Sequence, residues 1–383
     1  MRILAVCGAR PNFVKMAAII DAIRARCELE PLLVHTGQHY DDRLSRAMFE
    51  DLGLPRPDVH LEVGSGSHAV QTAEVMRRFE PVVLAERPDL VIVVGDVNST
   101  VACSLVAVKL GVAVAHVEAG LRSFDRSMPE EVNRVVTDAV SDLLFVSEPS
   151  GLTNLQREGV PEERIYFVGN VMIDTLLRHV ERAQSSSVLD RIGVGRGEYA
   201  VVTLHRPANV DDPVQLGGFV RALESLGERL PVVFPVHPRT RDRLAELGLL
   251  QRLQRQVRLL EPQGYLDFLR LTSSARLVLT DSGGLQEEAT VLRVPCLTLR
   301  NNTERPATVE AGWNRVVGTE PDRILAEVDA VLSGSFVGGP APVKWDGKAG
   351  ERIATILHEL GTDGLRRLLE RRQSPLVPED VAT

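Results

Sequence analysis

The 383-residue sequence lacks a long hydrophobic run, an excess of basic residues and a recognisable export signal. No apolar stretch approaches about 18 residues, so no segment is predicted to span a membrane. The first residues lack the length and flanking pattern of a signal peptide, and we therefore expect a cytoplasmic protein. Forty-four Lys and Arg against 52 Asp and Glu give a net charge of −8. That balance provides no global basic field for nucleic acid or an anionic membrane, and neither partner is expected.

The sequence also lacks motifs for metals, nucleoside triphosphates and nicotinamide cofactors. Its four cysteines are scattered without a C-x-x-C pair, and the histidines show no metal-ligand spacing. Two of the cysteines lie in apolar strand-like runs, so buried free thiols are predicted rather than disulfides. The Walker pattern G-x-x-x-x-G-K-[ST] is missing, as is a G-x-G-x-x-G turn after the first strand. We therefore expect no metal and no cofactor.

What the chain does contain is a regular alternation of short apolar runs and helical patterns. The runs are continuous, as in parallel strands that helices cover on both faces. In the first half, strands are predicted at Ile3–Val6, Pro31–His35, Leu90–Val94, Val112–Val117, Leu143–Val146 and Ile165–Val168. In the second half, they are predicted at Tyr199–Leu204, Val232–Val236, Val257–Leu260, Leu277–Thr280, Pro295–Leu299 and Arg315–Val317. Between strands, apolar residues recur every three or four positions, as at Phe13, Met16, Ala17, Ile20 and Ile23.

A polar segment with three consecutive serines, residues 181–190, separates two such regions of similar size. We predict an N-terminal Rossmann-like domain over residues 1–180, joined by a C-terminal helix at about 351–371, and a second Rossmann-like domain over 190–350. Residues 372–383 are predicted to form a loose tail. The predicted fold class is α/β, with two lobes, parallel sheets and a cleft between them.

Ionisable or glycine-rich residues follow nearly every predicted strand. Ligands of open α/β sheets bind beyond the carboxyl ends of the strands, so these turns form the candidate site. In the first half the turns contain Arg10, Lys15, Asp96 and Glu118. In the second half they contain His205, His237, Gln263, Asp281, Ser282, Gly283 and Gly284. Cations that suit a diphosphate, together with the carboxylates of Asp96, Glu118 and Glu130, favour nucleotide-sugar chemistry.

Most of these candidates also have a structural interpretation. Arg10 and Lys15 are either ordinary surface cations beside a proline at the start of a helix, or they bind an anion at the N-terminus of that helix. Asp96 is either a helix cap or a ligand contact. Glu118 lies between apolar residues and Ala-Gly, which favours a functional role over a solvent-exposed one. His116 lies inside the predicted strand, which favours a buried histidine with its hydrogen bonds satisfied within the core.

The second half carries the same ambiguity. His205 and His237 end strands and are each followed by arginine, which favours an anionic ligand. The Asp-Ser-Gly-Gly turn either only caps the following helix or, through its two glycines, lets a phosphate or ribose come close to the backbone. At least one of Glu287 and Glu288 is structural or directed at a ribose. Phe268 offers either a stacking face or a core side chain.

Ten segments, in this order, are specific enough to indicate a family: GARPNFVKMA, TGQHYD, VVGDVNST, HVEAGLRS, MPEEVNR, VTLHRPANVDD, PVHPRT, EPQGYLDF, LTDSGGLQEEA and NTERPATVEAG. They resemble the motif series of the non-hydrolysing UDP-N-acetylglucosamine 2-epimerases over roughly residues 1–360. The resemblance implies a glycosyltransferase-B-like fold, a homodimer, and reversible C2 epimerisation of UDP-GlcNAc to UDP-ManNAc without metal or nicotinamide. It further implies elimination of UDP to a glycal and re-addition of UDP.

The resemblance also implies roles for individual residues. The implied catalytic group is Asp96, Glu118, Glu130 and His205. The residues implied to contact the UDP-sugar are Arg10, Lys15, Gln263, Phe268, Ser282, Gly283, Gly284, Glu288 and Arg305.

Two segments depart from the family pattern. The chain has HRPAN where the family often has HRREN, and QHYDDRLS where it often has QHR-x-MLDQ. The GARPNF start also resembles relatives that act on diacetamido-uronic acid sugars. The alternatives are therefore a C2 epimerase of a related UDP-diacetamido sugar, a UDP-sugar glycosyltransferase, a hydrolysing epimerase and a non-catalytic nucleotide-sugar binding module.

Overall fold

Residues 1–37 and 51–373 are described by a computed structural model, which for Arg10 and residues 371–373 covers the backbone only. They form two compact units. Unit 1 is Met1–Val171 together with the chain from Lys348 onward, and unit 2 is Met172–Gly347. In both units strands alternate with helices, and all the described strand pairs are parallel.

Unit 1 is built on one parallel sheet. The strands in its described part are β1 (Arg2–Cys7), β2 (Glu30–His35), β3 (Val59–His60), β4 (Leu90–Val94), β5 (Ala113–Ala119), β6 (Leu143–Val146) and β7 (Ile165–Phe167). They lie in the order β3-β2-β1-β4-β5-β6-β7. The helices that lie wholly within its described part are α1 (Arg10–Arg24), α2 (His68–Glu86), α3 (Asn98–Lys109), α4 (Pro129–Val140), α5 (Pro149–Arg157) and α16 (Ala349–Gln373). The last is interrupted at Gly361, whose φ is 56°.

Unit 2 repeats this arrangement. Its strands are β8 (Ala200–Thr203), β9 (Val232–Pro235), β10 (Val257–Leu260), β11 (Leu277–Thr280), β12 (Cys296–Thr298) and β13 (Asn314–Val316). They lie in the order β10-β9-β8-β11-β12-β13. The helices are α6 (Val171–Ala183), α7 (Val188–Ile192), α8 (Pro207–Val210), α9 (Pro213–Gly227), α10 (Pro238–Glu246), α11 (Leu250–Leu253), α12 (Tyr265–Ser273), α13 (Gly283–Leu292), α14 (Pro306–Glu310) and α15 (Pro321–Leu332).

The predicted fold class, two Rossmann-like α/β units with parallel sheets, is confirmed. Each predicted strand is present, with ends that shift by up to two residues. The two-residue strand β3 was not predicted, because so short a run carries no periodicity. One boundary matters for function. The sequence predicted that β5 ends at Val117 and that Glu118 follows it, but β5 continues to Ala119, so Glu118 lies inside the strand.

The cores form as the apolar periodicity predicts. The five apolar residues of α1 that recur every three or four positions are at most 1% exposed: Phe13, Met16, Ala17, Ile20 and Ile23. Burying each of the larger side chains contributes about 2 kcal/mol. In unit 1, α16 packs on α1, and the Arg26 side chain donates to the Thr355 hydroxyl at 2.6 Å.

All four cysteines are free thiols, and three of them are buried, namely Cys7, Cys103 and Cys296. Cys27 is exposed, which corrects the expectation of burial for that residue, since it lies beyond the end of α1. Among the described helices, none is both long and apolar enough to cross a membrane. A group of three or more His, Cys, Asp or Glu residues placed to hold a metal ion is also not found in residues 1–37 and 51–373.

Two glycines of unit 1 test how closely the end of β5 is packed. Gly120 and Gly111 both have left-handed backbones, with φ of 79° and 76°. A Cβ on Gly120 would overlap the Gly151 carbonyl, whereas one on Gly111 meets no atom within 4 Å. We expect Gly120→Ala to destabilise unit 1 by about 2 kcal/mol more than Gly111→Ala, because only the former adds a clash to the backbone strain. Calorimetric melting of both variants measures this, and equal melting temperatures would contradict it.

Candidate active site

A buried ion pair lies at the carboxyl edge of the sheet in unit 1. Lys15, one turn into α1, places its Nζ 2.6 Å from Oε2 of Glu118, on β5. The two side chains are only 8% and 2% exposed. An ion pair this deeply buried is shielded from salt and fixes the position of both groups. The ammonium of Lys15 is thus paired with a carboxylate of the protein, in addition to its predicted role as a cation that binds a phosphate.

The backbone of Glu118 is unusual for a glutamate. Its φ is 73°, in the left-handed region that favours glycine, and the pairing of β5 with β6 shifts register between Val117 and Ala119. Pairing resumes at Ala119 after this β-bulge, so β5 continues past its predicted end at Val117. Strained non-glycine residues cost about 1–3 kcal/mol, persist only where neighbours hold them, and cluster at functional sites.

Asp96 follows β4, the strand next to β5. Its carboxylate pairs with the guanidinium of Arg134 on α4, and its carbonyl accepts from Nδ2 of Asn133 at 2.9 Å. The turn lies against the buried pair: a Cβ on Gly95 would be 3.3 Å from Nζ of Lys15 and 3.8 Å from Oε2 of Glu118. The Asp96 turn and Glu118 are therefore neighbours, as the predicted carboxyl-end site requires.

Two adjacent glutamates open α4 and have different surroundings. Glu131 is buried, and its Oε2 accepts from the backbone N–H and the hydroxyl of Ser123 at 2.9 Å and from Arg134 at 2.6 Å. Glu130, the residue the sequence favoured, is half-buried. In the described residues, no hydrogen bond or ion pair joins its carboxylate to Asp96 or Glu118. Glu131 organises the loop before α4, while the Glu130 side chain is only partly buried.

The sequence identified His116 as a core histidine but missed its partner, Asp138 on α4. The His116 ring is fully buried, with Nδ1 2.6 Å from Oδ1 of Asp138 and Nε2 2.8 Å from the Gly95 carbonyl. Oδ2 of Asp138 accepts from the Gly120 N–H at 3.0 Å and lies 2.7 Å from Arg122. Burial alone would raise the pKa of Asp138, but His116 and Arg122 more than offset it and lower that pKa.

A sequence signal for Asp138 did exist. Glu131, Arg134 and Asp138 recur at intervals of three and four, the spacing of a buried helix face, and all three are buried. Charged residues at the spacing of a core-facing stripe indicate an internal polar network, and here that stripe lies on a helix and not at the end of a strand.

In unit 2, Asp281 organises the carboxyl edge of the sheet. It directly follows β11 and is fully buried. Its carboxylate accepts from the backbone N–H groups of His205 and Arg206 at 3.0 and 2.9 Å, and from Nδ2 of Asn209 at 3.2 Å. Nδ1 of His205 lies 2.8 Å away. Burial opposes ionisation of Asp281, but the His205 ring and these donors outweigh it and lower its pKa.

The arginines of this edge are paired with buried carboxylates. Glu304 lies 3.3 Å from Arg206 and 2.8 Å from Arg300, and Arg305 lies 2.7 Å from Glu287. The pairing of Glu287 with Arg305 favours a structural role for Glu287, one of the two alternatives predicted for this glutamate pair. The turn itself is tight, since a Cβ on Gly283 would be 2.7 Å from Oε1 of Glu304.

Ser282 caps α13 with its hydroxyl, which accepts from the N–H of Leu285 at 3.5 Å, so the predicted cap is present. Glu288, one turn further, is buried, and burial raises its pKa to about 7. The phenol of Tyr265 is buried too, and this burial, together with the charge of Glu288, raises the pKa of that phenol. Glu288 is thus a carboxyl that titrates near neutral pH.

The remaining predicted residues lie around this edge. His237 is exposed and caps α10, accepting from the N–H of Arg239 at 3.2 Å, and its ring centre is 6.1 Å from that of His205. Gln263 is half-buried. Phe268 packs against the core beside α7, and this contact favours the core alternative. The predicted contacts of the Arg10 side chain and of the QHYDDRLS segment lie outside the described residues.

The chain resembles proteins of known activity over most of its length. A family model described as UDP-N-acetylglucosamine 2-epimerase matches residues 21–358. A UDP-N-acetylglucosamine 2-epimerase of Methanocaldococcus jannaschii is 41% identical over 93% of this chain and 99% of its own. A UDP-2,3-diacetamido-2,3-dideoxy-D-glucuronate 2-epimerase of Pseudomonas aeruginosa is 42% identical over 94% of this chain and 100% of its own.

Solved structures agree with these matches. A crystal structure of Methanocaldococcus jannaschii UDP-GlcNAc 2-epimerase in complex with UDP-GlcNAc and UDP matches with a TM-score of 0.89. It is 42% identical, and the match covers 94% of this chain and all of that one. The glycosyltransferase-B-like fold class predicted from the sequence is confirmed by this similarity.

The ion pair between Lys15 and Glu118 yields a test of the site's construction. We expect Lys15→Met to lower the free energy of unfolding by about 3 kcal/mol, because it leaves a buried carboxylate without its cation. The double variant Lys15→Met/Glu118→Gln should recover most of that loss. As a control, Arg77→Met breaks a surface pair with Glu74, in which the arginine is 68% exposed, and should cost less than about 1 kcal/mol. Urea unfolding measures all three, and additive losses in the double variant would contradict the coupling.

Proposed function

Because the chain belongs to the UDP-N-acetylglucosamine 2-epimerase family, we propose that it interconverts UDP-GlcNAc and UDP-ManNAc by inverting carbon 2 of the sugar. The observation that carries this proposal is the buried Glu118 carboxylate, held on a strained bulge beside the Asp96 turn. Two carboxylates held by separate cations at one sheet edge suit a reaction that removes a proton from one face of a carbon and returns one to the other.

The chemistry explains why the nucleotide must leave. The C2–H of an N-acetylhexosamine is not next to a carbonyl, so its direct removal needs a very strong base. If the C1–O bond to UDP breaks first, C1 becomes electron-poor and C2–H becomes acidic. A base then takes the proton, the C2–H electrons form the C1=C2 bond of a glycal, and UDP carries away the C1–O electrons. Return of a proton to the opposite face of C2 and of UDP to C1 gives the epimer.

In this proposal, Glu118 and Asp96 exchange protons with C2 or stabilise the positive charge that develops at C1. The ammonium of Lys15 keeps Glu118 in place, and the guanidinium of Arg134 does the same for Asp96. Glu130 is the third proposed member, supported by its position in the first turn of α4 and by its partial exposure. The sequence motifs support all three assignments.

Unit 2 is proposed to bind the nucleotide. The Ser282-Gly283-Gly284 turn at the start of α13 offers backbone N–H groups and a positive helix end to a phosphate. Glu288, one turn into the same helix, can accept hydrogen bonds from ribose hydroxyls. Nδ1 of His205 faces Asp281 and the side chain is 44% exposed, so its Nε2 can reach the diphosphate. Gln263, His237 and Arg305 complete the proposed contacts of this unit, and Arg10 remains a contact predicted from the sequence alone.

A second sugar is a specific alternative. The Pseudomonas aeruginosa relative, named for a diacetamido-glucuronate substrate, is as similar to this chain as the Methanocaldococcus jannaschii epimerase. UDP-2,3-diacetamido-2,3-dideoxy-D-glucuronate is therefore the other candidate substrate for the same C2 chemistry. A homodimer, a cytoplasmic location and a lack of nucleic-acid partners also remain predictions from the sequence.

Incubation with UDP-GlcNAc in deuterated water tests the reaction. We expect UDP-ManNAc to appear with deuterium at C2, without added metal or nicotinamide, because the proton that returns comes from a solvent-exchanged acid. Proton NMR at C2 follows both the epimer and the isotope. The diacetamido substrate, run in parallel, identifies the preferred sugar by kcat/KM. Epimer formed without deuterium would contradict elimination, and sugar transferred only when an acceptor is present would indicate a glycosyltransferase.

The variant Glu118→Gln tests the role of Glu118 in the same assay. It should lower kcat by at least about 100-fold while leaving UDP affinity within about threefold, since an amide cannot exchange the C2 proton. If the variant turned over at the normal rate, Glu118 would be only a structural residue.

Glu288 makes nucleotide binding pH-dependent. Its pKa of about 7 means that ribose hydroxyls must displace a proton when they donate to the carboxylate. We expect affinity for UDP-glucose, whose phosphates do not titrate near neutrality, to rise about tenfold from pH 6 to pH 8. Calorimetry in two buffers of different ionisation enthalpy should show release of about half a proton at pH 7. Glu288→Gln should abolish both effects, and an unchanged pH dependence in that variant would show that Glu288 does not contact the ligand.

A further inference from the structure

Asp138 contacts the chain on both sides of Glu118, through the side chain of His116 and the backbone of Gly120. One carboxylate oxygen faces His116, two residues before Glu118, and the other accepts from the N–H of Gly120, two residues after it. Glu118, with its left-handed φ of 73°, lies between these two attachment points. Residues in such conformations persist only when the surrounding structure fixes them, and Asp138 fixes this one from both ends.

His116 extends the connection to the second carboxylate. Its Nε2 lies 2.8 Å from the carbonyl of Gly95, the residue before Asp96. A carbonyl can only accept, and an ionised Asp138 also accepts, so the ring satisfies both only with a proton on each nitrogen. The fully buried ring therefore joins the turn that carries Asp96 to the carboxylate that brackets Glu118.

We propose that Asp138 and His116 form a positioning pair that holds Glu118 and Asp96 in their reactive geometry. Neither residue is placed to touch a substrate, because their side chains are at most 1% exposed. They act through the contacts they make on either side of the two carboxylates. Arg122, 2.7 Å from Oδ2 of Asp138, is itself paired with Glu158 at 2.6 Å and holds Asp138 in place. This inference rests on the proposed function, since it assigns the pair to the same proton transfer.

The conservative variant separates hydrogen bonding from charge. In Asp138→Asn, the amide oxygen still accepts from Gly120, while the amide N–H donates to a neutral His116 that keeps its proton on Nε2 for Gly95. The attachment is preserved, and kcat should fall less than about fivefold. In Asp138→Ala the attachment is lost, and kcat should fall at least about 50-fold, with UDP affinity within about twofold because the nucleotide contacts are elsewhere.

Asp142→Ala is the matched control. Asp142 is a buried aspartate of the same unit that accepts from the N–H of Val114, at the opposite end of β5. It should lower the melting temperature much as Asp138→Ala does but leave kcat within about threefold. If Asp138→Ala does not fold, His116→Gln replaces it, with an expected loss of about tenfold in kcat and unchanged UDP affinity. Equal losses of kcat in Asp138→Ala and Asp142→Ala, or a normal kcat in His116→Gln, would overturn the proposal.

A spectroscopic measurement separates this inference from the proposed function. If the wild-type protein epimerises no UDP-sugar, the proposed function fails, and the pair is then assessed by ¹⁵N NMR of labelled histidine. His116 should carry protons on both ring nitrogens in the wild type and on one in Asp138→Asn. A singly protonated His116 in the wild type would overturn the positioning pair even if the enzyme were active.

Discussion

The parallel sheet buried on both faces is the constraint from which the rest of each unit follows. Parallel pairing sends the carboxyl ends of neighbouring strands to one edge, and helices on both faces leave that edge as the place where polar groups can gather. Groups that gather there are largely excluded from water, so each charge needs a partner. Lys15 with Glu118, Arg134 with Asp96, and Arg305 with Glu287 are three solutions to this requirement.

Both units use an aspartate next to a histidine at this edge, with different results. Asp138 and His116 are completely enclosed, so the ring can only connect strands. Asp281 is equally buried, but its histidine, His205, is partly open to solvent and its second nitrogen is available to a ligand. The same pair of residue types is therefore closed to any ligand in unit 1 and open to solvent in unit 2, and the exposure of the ring makes the difference.

The fold could be predicted because strands buried on both faces read as continuous apolar runs. The partners within the site could not, because they depend on strand order: Lys15 and Glu118 are 103 residues apart and meet only because β4 lies beside both β1 and β5. Which of Glu130 and Glu131 is buried depends on the rotation of α4 about its axis, since adjacent residues of a helix point about 100° apart. The bulge at Glu118 leaves no trace in periodicity.

The C-terminal helix has a consequence for the order in which the protein is made. Unit 2 is one continuous stretch of chain, so all of it has been synthesised once Gly347 is added. Unit 1 is assembled from two separated stretches, and α1 receives the packing of α16 only after unit 2 has been synthesised. On the ribosome, the unit that begins first is therefore completed last. The apolar surface of α1 that α16 covers stays without this helix until all of unit 2 has been synthesised.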